Sequence, residues 1–122
     1  MQYAILCYDN EAEVEAWPRA KLDEVISRHQ LATRPVAEQG KLGPVLRLLP
    51  TSTAMTVRSG DKPVVLDGPF AETKEQLLGF WIIDAETHEE AVALAQELAS
   101  HKETGSMEVR PVLMYMDGSN TK

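Results

Sequence analysis

Two strand-like segments of this sequence are apolar on both faces. Residues 3–8 read YAILCY, and residues 77–83 read LLGFWII. Successive side chains of a strand point to opposite sides of a sheet, so such strands need apolar cover on both sides. Helices on one side can supply only half of that cover. We therefore expect a sheet with helices on one face and a second face that needs a partner.

A helix is predicted between the first strand and residue 40. Leu22, Val25, Ile26 and His29 recur at i, i+3, i+4 and i+7, which places them on one stripe of a 3.6-residue period. Pro18 suits the first turn of such a helix. Pro35 is expected to end or kink it near residue 34.

A second helix is predicted to open at Thr87. Glu90 stands three residues later, as in a capping box, and an apolar side follows. Gly105 is the expected stop. Strands are predicted at residues 42–49, 54–58, 64–66, 77–83 and 107–115, with a hairpin loop at 59–62. The order is close to that of an α+β, ferredoxin-like βαββαβ sheet with two helices on one face.

Composition bounds the class of protein. The chain has 122 residues and a formal charge of −7, so we expect no nucleic-acid partner and no attraction to anionic membranes. The single cysteine, Cys7, excludes an intramolecular disulfide. The first eight residues do not resemble a signal peptide, and a cytoplasmic location is expected. We expect one domain over residues 1–116 and a polar tail at 117–122.

The most distinctive motif is the run DGPFAETKE at residues 67–75, between an apolar strand and Gly79-Phe80-Trp81. This run resembles the signature of the DGPF-domain branch of the YCII-related proteins. The similarity extends to the first strand ending in Tyr8-Asp9 and to residues 108–112. The resemblance implies a ferredoxin-like fold that pairs into a dimeric α/β barrel, with a His–Asp pair in a pocket beside the dimer interface.

Asp67 is the first candidate site residue. It ends a strand, and Gly68-Pro69 turns the chain directly after it. Its carboxylate could simply cap the backbone N–H groups of Phe70 and Ala71. It could instead serve as an acceptor that orients a histidine or binds a polar group of a substrate. Both interpretations stay open.

His29 is the second candidate. A lone histidine on an apolar stripe is often a core residue that makes one hydrogen bond. The resemblance favours a catalytic role, in which Asp67 fixes the tautomer of His29 and raises its pKa, within one subunit or across the interface.

Four further residues are candidates for substrate binding. Lys74 follows the turn, in a stretch expected to form a solvated helical turn or to meet an anion. Phe70 is expected to pack in the core or to line the pocket. Arg58 and Arg110 lie on predicted strands and could bind an acidic substrate or pair with Glu108 or Asp67.

Other chemistries find no motif in the sequence. His88 and His101 are too far apart for a helical metal site, so we expect no metal and no cofactor. Cys7 is expected to be an inert buried thiol. Three functions remain: a small cofactor-independent enzyme that uses His29 and Asp67, a non-catalytic ligand-binding or regulatory module, and, by fold analogy alone, a cofactor-free monooxygenase or haem protein. A homodimer with an unknown small-molecule ligand is predicted.

Overall fold

A computed structural model describes residues 1–118. Within these residues, six strands and three α-helices follow one another; they are β1 (Gln2–Asp9), α1 (Glu11–Glu15), α2 (Arg19–Glu38), β2 (Leu42–Arg47), β3 (Met55–Arg58), β4 (Val64–Asp67), β5 (Gln76–Asp84), α3 (His88–Ser100) and β6 (Ser106–Pro111). A short 3-10 helix spans Thr51–Thr53. Of the predicted tail, residues 119–122 lie outside the described residues.

The main sheet has four antiparallel strands in the order β2-β5-β1-β6. β1 therefore pairs with β5 and β6, which come much later in the chain. This mixed α+β arrangement is consistent with the predicted ferredoxin-like fold. β3 and β4 form a separate two-stranded sheet, joined in the register Met55↔Asp67.

Burial alternates along β1, with one face in the core and the other half-exposed. The buried face carries Tyr3, Ile5, Cys7 and Asp9, and it packs under the helices. The opposite, open face of the sheet, with Ala4 and Leu6, is half-exposed within residues 1–118. The partner expected to cover this open face stays a prediction.

Helix α3 begins as its capping residues predict. The Thr87 hydroxyl accepts a hydrogen bond from the backbone N–H of Glu90 at 3.2 Å, which satisfies one free donor of the first turn. The Glu90 carboxylate in turn accepts from the Glu86 N–H at 2.9 Å. The buried residues Ala91, Ala95 and Leu98 set this helix against the sheet.

Of the two outcomes expected at Pro35, an end of the helix does not occur, because α2 continues through Pro35 to Glu38, just before Gly40. A proline inside a helix removes one backbone hydrogen bond. Pro35 stands in the last turn, and Ala32 and Val36 on either side of it pack against the core. This packing keeps the helix intact past the proline.

The larger remaining differences from the prediction concern α1, β6 and β2. The helix α1 was not predicted; the Asn10 side chain caps it by accepting from the Glu13 N–H at 3.0 Å. β6 ends at Pro111 rather than at residue 115, and Leu113 beyond it is fully exposed. β2 ends at Arg47 rather than at residue 49.

Candidate functional site

A cavity of about 410 Å³ lies between α2 and the sheet strands β2 and β5. A volume of this size is typical of small-molecule sites. Its wall is mainly apolar and includes both tryptophans of the chain, Trp17 and Trp81. Four of its lining side chains carry chemistry: Cys7, His29, Arg47 and Lys102.

Helix α2 holds His29 over the cavity through two contacts. Its Nε2 lies 2.9 Å from the backbone carbonyl oxygen of Leu98 on α3. Its ring meets the edge of Trp81, with centroids 5.4 Å apart and planes at 83°. A half-buried side chain fixed by a hydrogen bond and an aromatic contact has a defined orientation.

The hydrogen bond to Leu98 also sets the tautomer of His29. A carbonyl oxygen only accepts, so Nε2 carries the hydrogen and the neutral ring leaves Nδ1 as an acceptor. Nδ1 has no hydrogen-bond partner in residues 1–118. Every buried side-chain nitrogen or oxygen in that range does have a partner, so Nδ1 is not buried. Nδ1 is therefore open to the cavity or to solvent.

Burial lowers the pKa of His29 below its ordinary 6.5. The hydrogen bond to Leu98 opposes this, because it favours the charged ring. The positive charges of Lys102, His101 and Arg47 lower the pKa further. At neutral pH the ring is uncharged, and its free nitrogen can take a proton.

The cavity wall includes one member of a buried ion pair, Lys102. Lys102 Nζ lies 2.8 Å from Asp9 Oδ2, with side chains only 5% and 1% exposed. Thr104 and the backbone N–H of Asn10 also donate to Asp9. Burial alone would raise the pKa of Asp9, but the hydrogen bonds from Lys102 and Asn10 outweigh it and lower the pKa.

Cys7 lines the cavity next to this pair. Its Sγ lies 3.6 Å from Lys102 Nζ. Burial raises the pKa of the thiol, and the nearby lysine offsets only part of that rise. The thiol is protonated at neutral pH, which agrees with the expectation of an unreactive cysteine.

Asp67 does not meet His29 within one chain. It is exposed at the end of β4, in the two-stranded sheet, and no hydrogen bond or ion pair in residues 1–118 involves its carboxylate. The turn after it is held by other groups: the Gly68 N–H donates to the Ala54 carbonyl, and Thr56 donates to the Gly68 carbonyl. The capping role considered for Asp67 is therefore absent.

The four predicted substrate-binding residues lie away from the cavity wall. Phe70 is 75% exposed, so it does not pack in the core of one chain. Arg58, Lys74 and Arg110 are exposed. No helical turn forms around Lys74; instead the Thr73 hydroxyl donates to the Glu75 carbonyl. Any role for these residues in a site stays a prediction.

Sequence reasoning missed Asp9, Arg47 and Lys102. A signal existed for two of them. Asp9 continues the buried alternation of Ile5 and Cys7, and a carboxylate at such a position requires a cation. Lys102 stands four residues after Leu98, so it continues the buried stripe of α3.

No group of three or more potential metal ligands of the His, Cys, Asp and Glu types occurs within residues 1–118. In the same range, no helix combines the length and apolar character needed to cross a bilayer.

Comparison with known proteins places the chain in a family. A protein of Rhizobium meliloti (strain 1021), described as uncharacterized, is 47% identical over 120 residues, which cover 97% of each chain. A solved structure of 5-chloro-2-hydroxyhydroquinone dehydrochlorinase (TftG) from Burkholderia phenoliruptrix AC1100, in complex with 2,5-dihydroxybenzoquinone, is similar with a TM-score of 0.52. It is 14% identical, and the match covers 92% of this chain and 93% of that one, so the likeness concerns the fold.

The family model of the YCII-related domain matches residues 1–115. This match spans every helix and strand of the structure, including the cavity and the two-stranded sheet. The chain belongs to the YCII-related domain family.

Proposed function

We propose that this protein is a small enzyme that removes a proton from a small organic molecule bound in the cavity, with His29 as the general base. One observation carries the proposal: Nδ1 of a neutral, oriented imidazole has no hydrogen-bond partner in the described chain, and its ring lines the cavity. A general base needs this combination of free lone pair, fixed direction and access to substrate. The step we propose uses only side chains of this protein.

Proton removal by His29 is supported by its surroundings. When Nδ1 takes a proton, the ring becomes a cation, and the Leu98 carbonyl stabilises it by accepting from Nε2–H. The substrate gains a negative charge, which Arg47 and Lys102 on the same wall can attract. The dehydrochlorinase with a similar fold, as its name states, removes hydrogen chloride, a reaction that includes loss of a proton.

The predicted His29–Asp67 pair is retained only as a contact between two copies. Within one chain the two residues do not touch, and Asp67 projects from a hairpin whose apolar side chains are exposed on both faces, including Val57, Val65 and Leu66. A two-stranded hairpin of this kind is marginal in water by itself. We propose that a second copy covers both the hairpin and the open sheet face, as in the dimeric barrel expected of the DGPF branch.

The test uses a substrate that reacts by an elimination for which a base is sufficient. 5-Nitrobenzisoxazole loses the proton on C3 to the base; the C3–H electron pair forms the nitrile, the N–O bond breaks, and a coloured phenolate leaves. We expect the protein to accelerate this elimination and His29→Gln to abolish the acceleration. His88→Gln is the matched control, because His88 contacts Tyr3 and does not line the cavity.

The pH dependence of the same reaction adds a second readout. The rate should fall as the pH drops through the pKa of His29, which burial places below 6.5. Quenching of Trp17 and Trp81 reports whether the probe enters, since both tryptophans line the cavity. A probe that enters but is eliminated equally fast by the wild type and His29→Gln contradicts the base role.

One observation favours the second candidate, a non-catalytic ligand-binding module. The hydrogen bond from His29 to the Leu98 carbonyl ties α2 to α3, which is a structural role in itself. In that case ligands would still quench the two tryptophans, and no proton transfer would accompany binding.

A further inference from the structure

The charge on the cavity wall differs in sign from the charge on the protein. Acidic residues outnumber basic ones 19 to 12 in the whole sequence. Within residues 1–118, no aspartate or glutamate side chain lines the cavity, whereas Arg47 and Lys102 both do. An acidic protein with this distribution offers negative ligands one local region of favourable potential.

The two cations of the wall are not equivalent. Lys102 is paired at 2.8 Å with Asp9, so most of its charge is compensated. Arg47 forms no salt bridge or side-chain hydrogen bond with any residue in 1–118, yet its charge is felt at both His29 and Cys7. Its planar guanidinium is the group on this wall that can still bind an anion through two parallel N–H donors.

Backbone pairing fixes the position of Arg47. It is the last residue of β2 and lies opposite Gly79 of β5. A Cβ at Gly79 would come within 2.2 Å of the Leu46 carbonyl oxygen and 3.0 Å of the Arg47 Cα. The absence of a side chain at position 79 therefore lets β2 approach closely enough to bring Arg47 to the cavity.

The rest of the cavity wall suits a ligand with a flat apolar ring. The indoles of Trp17 and Trp81 and the imidazole of His29 all contribute to it. Aromatic rings favour stacked or edge-to-face contacts with other rings. Trp81 and His29 already show the edge-to-face form, with planes at 83°.

We propose that the cavity binds a small aromatic anion, with its carboxylate or phenolate oxygen on the Arg47 guanidinium and its ring among Trp17, Trp81 and His29. This names the ligand class of the cavity used in the proposed function and rests on that cavity. It does not rest on proton transfer, because binding alone can be measured.

The experiment compares ligands of nearly equal shape by fluorine NMR. 4-Fluorobenzoate is the anionic ligand, and 4-fluorobenzamide is its neutral counterpart. Cyclohexanecarboxylate keeps the negative charge but lacks the aromatic ring, and its binding is measured by displacement of 4-fluorobenzoate. We expect the benzoate to bind about tenfold more tightly than the benzamide. Added salt should reduce this preference. 4-Fluorophenol, titrated across its own ionisation, separates a phenolate from a carboxylate as the bound group.

Three variants assign the effect to residues. Arg47→Gln should remove the preference for the benzoate, and Arg47→Lys should keep part of it, because lysine retains the charge without the planar fork. Arg58→Gln is the matched control, since Arg58 is an arginine outside the wall. Tryptophan quenching by each ligand shows whether the variants still bind in the cavity.

The outcomes are distinct. Equal binding of benzoate and benzamide, binding of neither at millimolar concentration, or an unchanged preference in Arg47→Gln overturns the proposal. Equal affinity for cyclohexanecarboxylate overturns its aromatic part. His29→Gln should still prefer the benzoate even though it no longer eliminates 5-nitrobenzisoxazole. A failure of the base role and a failure of the anion site can thus be told apart.

Discussion

Lys102 Nζ lies 2.8 Å from Asp9 Oδ2, and both side chains are almost completely buried. Asp9 is the last residue of β1, and Lys102 follows the end of α3. The contact therefore joins the central strand of the sheet to the helix that covers it. It also places the ammonium group 3.6 Å from Cys7 Sγ, and both residues line the cavity.

Breaking this pair should destabilise the protein strongly. Lys102→Met leaves a buried carboxylate without its cation, and Asp9→Asn leaves a buried ammonium without its anion. We expect each to lower the free energy of unfolding by about 3–5 kcal/mol. The double variant should lose much less than the sum, because it buries no unpaired charge. Urea unfolding of the wild type, the two single variants and the double variant completes this double-mutant cycle.

An exposed ion pair provides the control for that cycle. Lys21 lies 3.5 Å from Glu103, whose side chain is 85% exposed. Lys21→Met should cost less than about 1 kcal/mol, since water and salt screen such a pair. Similar losses for Lys21→Met and Lys102→Met would contradict the role assigned to the buried pair.

Stability should also depend on the charge of Asp9 in acid. The folded protein lowers the pKa of Asp9 below its ordinary 3.8, so the unfolded chain takes up the proton at higher pH than the folded one. The stabilisation is complete above 3.8 and is lost as the pH falls through the lower folded pKa. Urea unfolding across this range should show a steeper acid loss for the wild type than for Asp9→Asn. Parallel curves would contradict the prediction.

Gly105 should not tolerate a side chain. Its φ is +90°, and an added Cβ would lie 2.5 Å from the Tyr8 carbonyl oxygen and 2.8 Å from Asp9 Cγ. We expect Gly105→Ala to cost about 2–4 kcal/mol, from backbone strain and from displacement of Asp9. Gly40→Ala has the same kind of φ, +71°, with nothing nearby, and should cost only about 1 kcal/mol. Equal losses in urea unfolding would show that Asp9 is not displaced.

The open sheet face should mediate self-association. Leu6 on β1 lies beside Phe80 of β5 on that face. Leu6→Glu places a charge there and should convert a dimer to a monomer in light scattering. Leu31→Glu alters a 53% exposed leucine on α2 and should leave the dimer intact. A wild type that is monomeric at micromolar concentration would contradict the proposed dimer.

The sequence predicted those parts of the fold that depend on periodicity and capping. Alternation in β1 and β5 and the Thr87 cap depend on neighbouring residues and appear in the structure. The stripe of α2 appears in part, since Val25 is buried but Ile26 is 37% exposed. The end of β6 was predicted wrongly, because it depends on where pairing with β1 ends.

The site was less accessible to sequence reasoning, because its residues meet only through long-range pairing. Arg47 reaches the cavity through the β2–β5 register, which no local pattern reveals. Asp9 continues the alternating burial of β1, and Lys102 continues the buried stripe of α3. Their contact, however, joins residues 93 positions apart. His29 was found because it lies on the predicted stripe; its partner, the Leu98 carbonyl, belongs to the backbone of α3 and leaves no signature in the sequence.

The most direct test of the account is a nitrogen-15 NMR titration of His29, assigned with His29→Gln. We predict a neutral ring with hydrogen on Nε2 and bare Nδ1, and a pKa below 6.5 that Asp67→Asn leaves unchanged in the monomeric Leu6→Glu variant. In the dimer, a fall of that pKa in Asp67→Asn would reveal the contact between copies. A ring with hydrogen on Nδ1, or a monomer pKa above 6.5, would contradict a free base in the cavity.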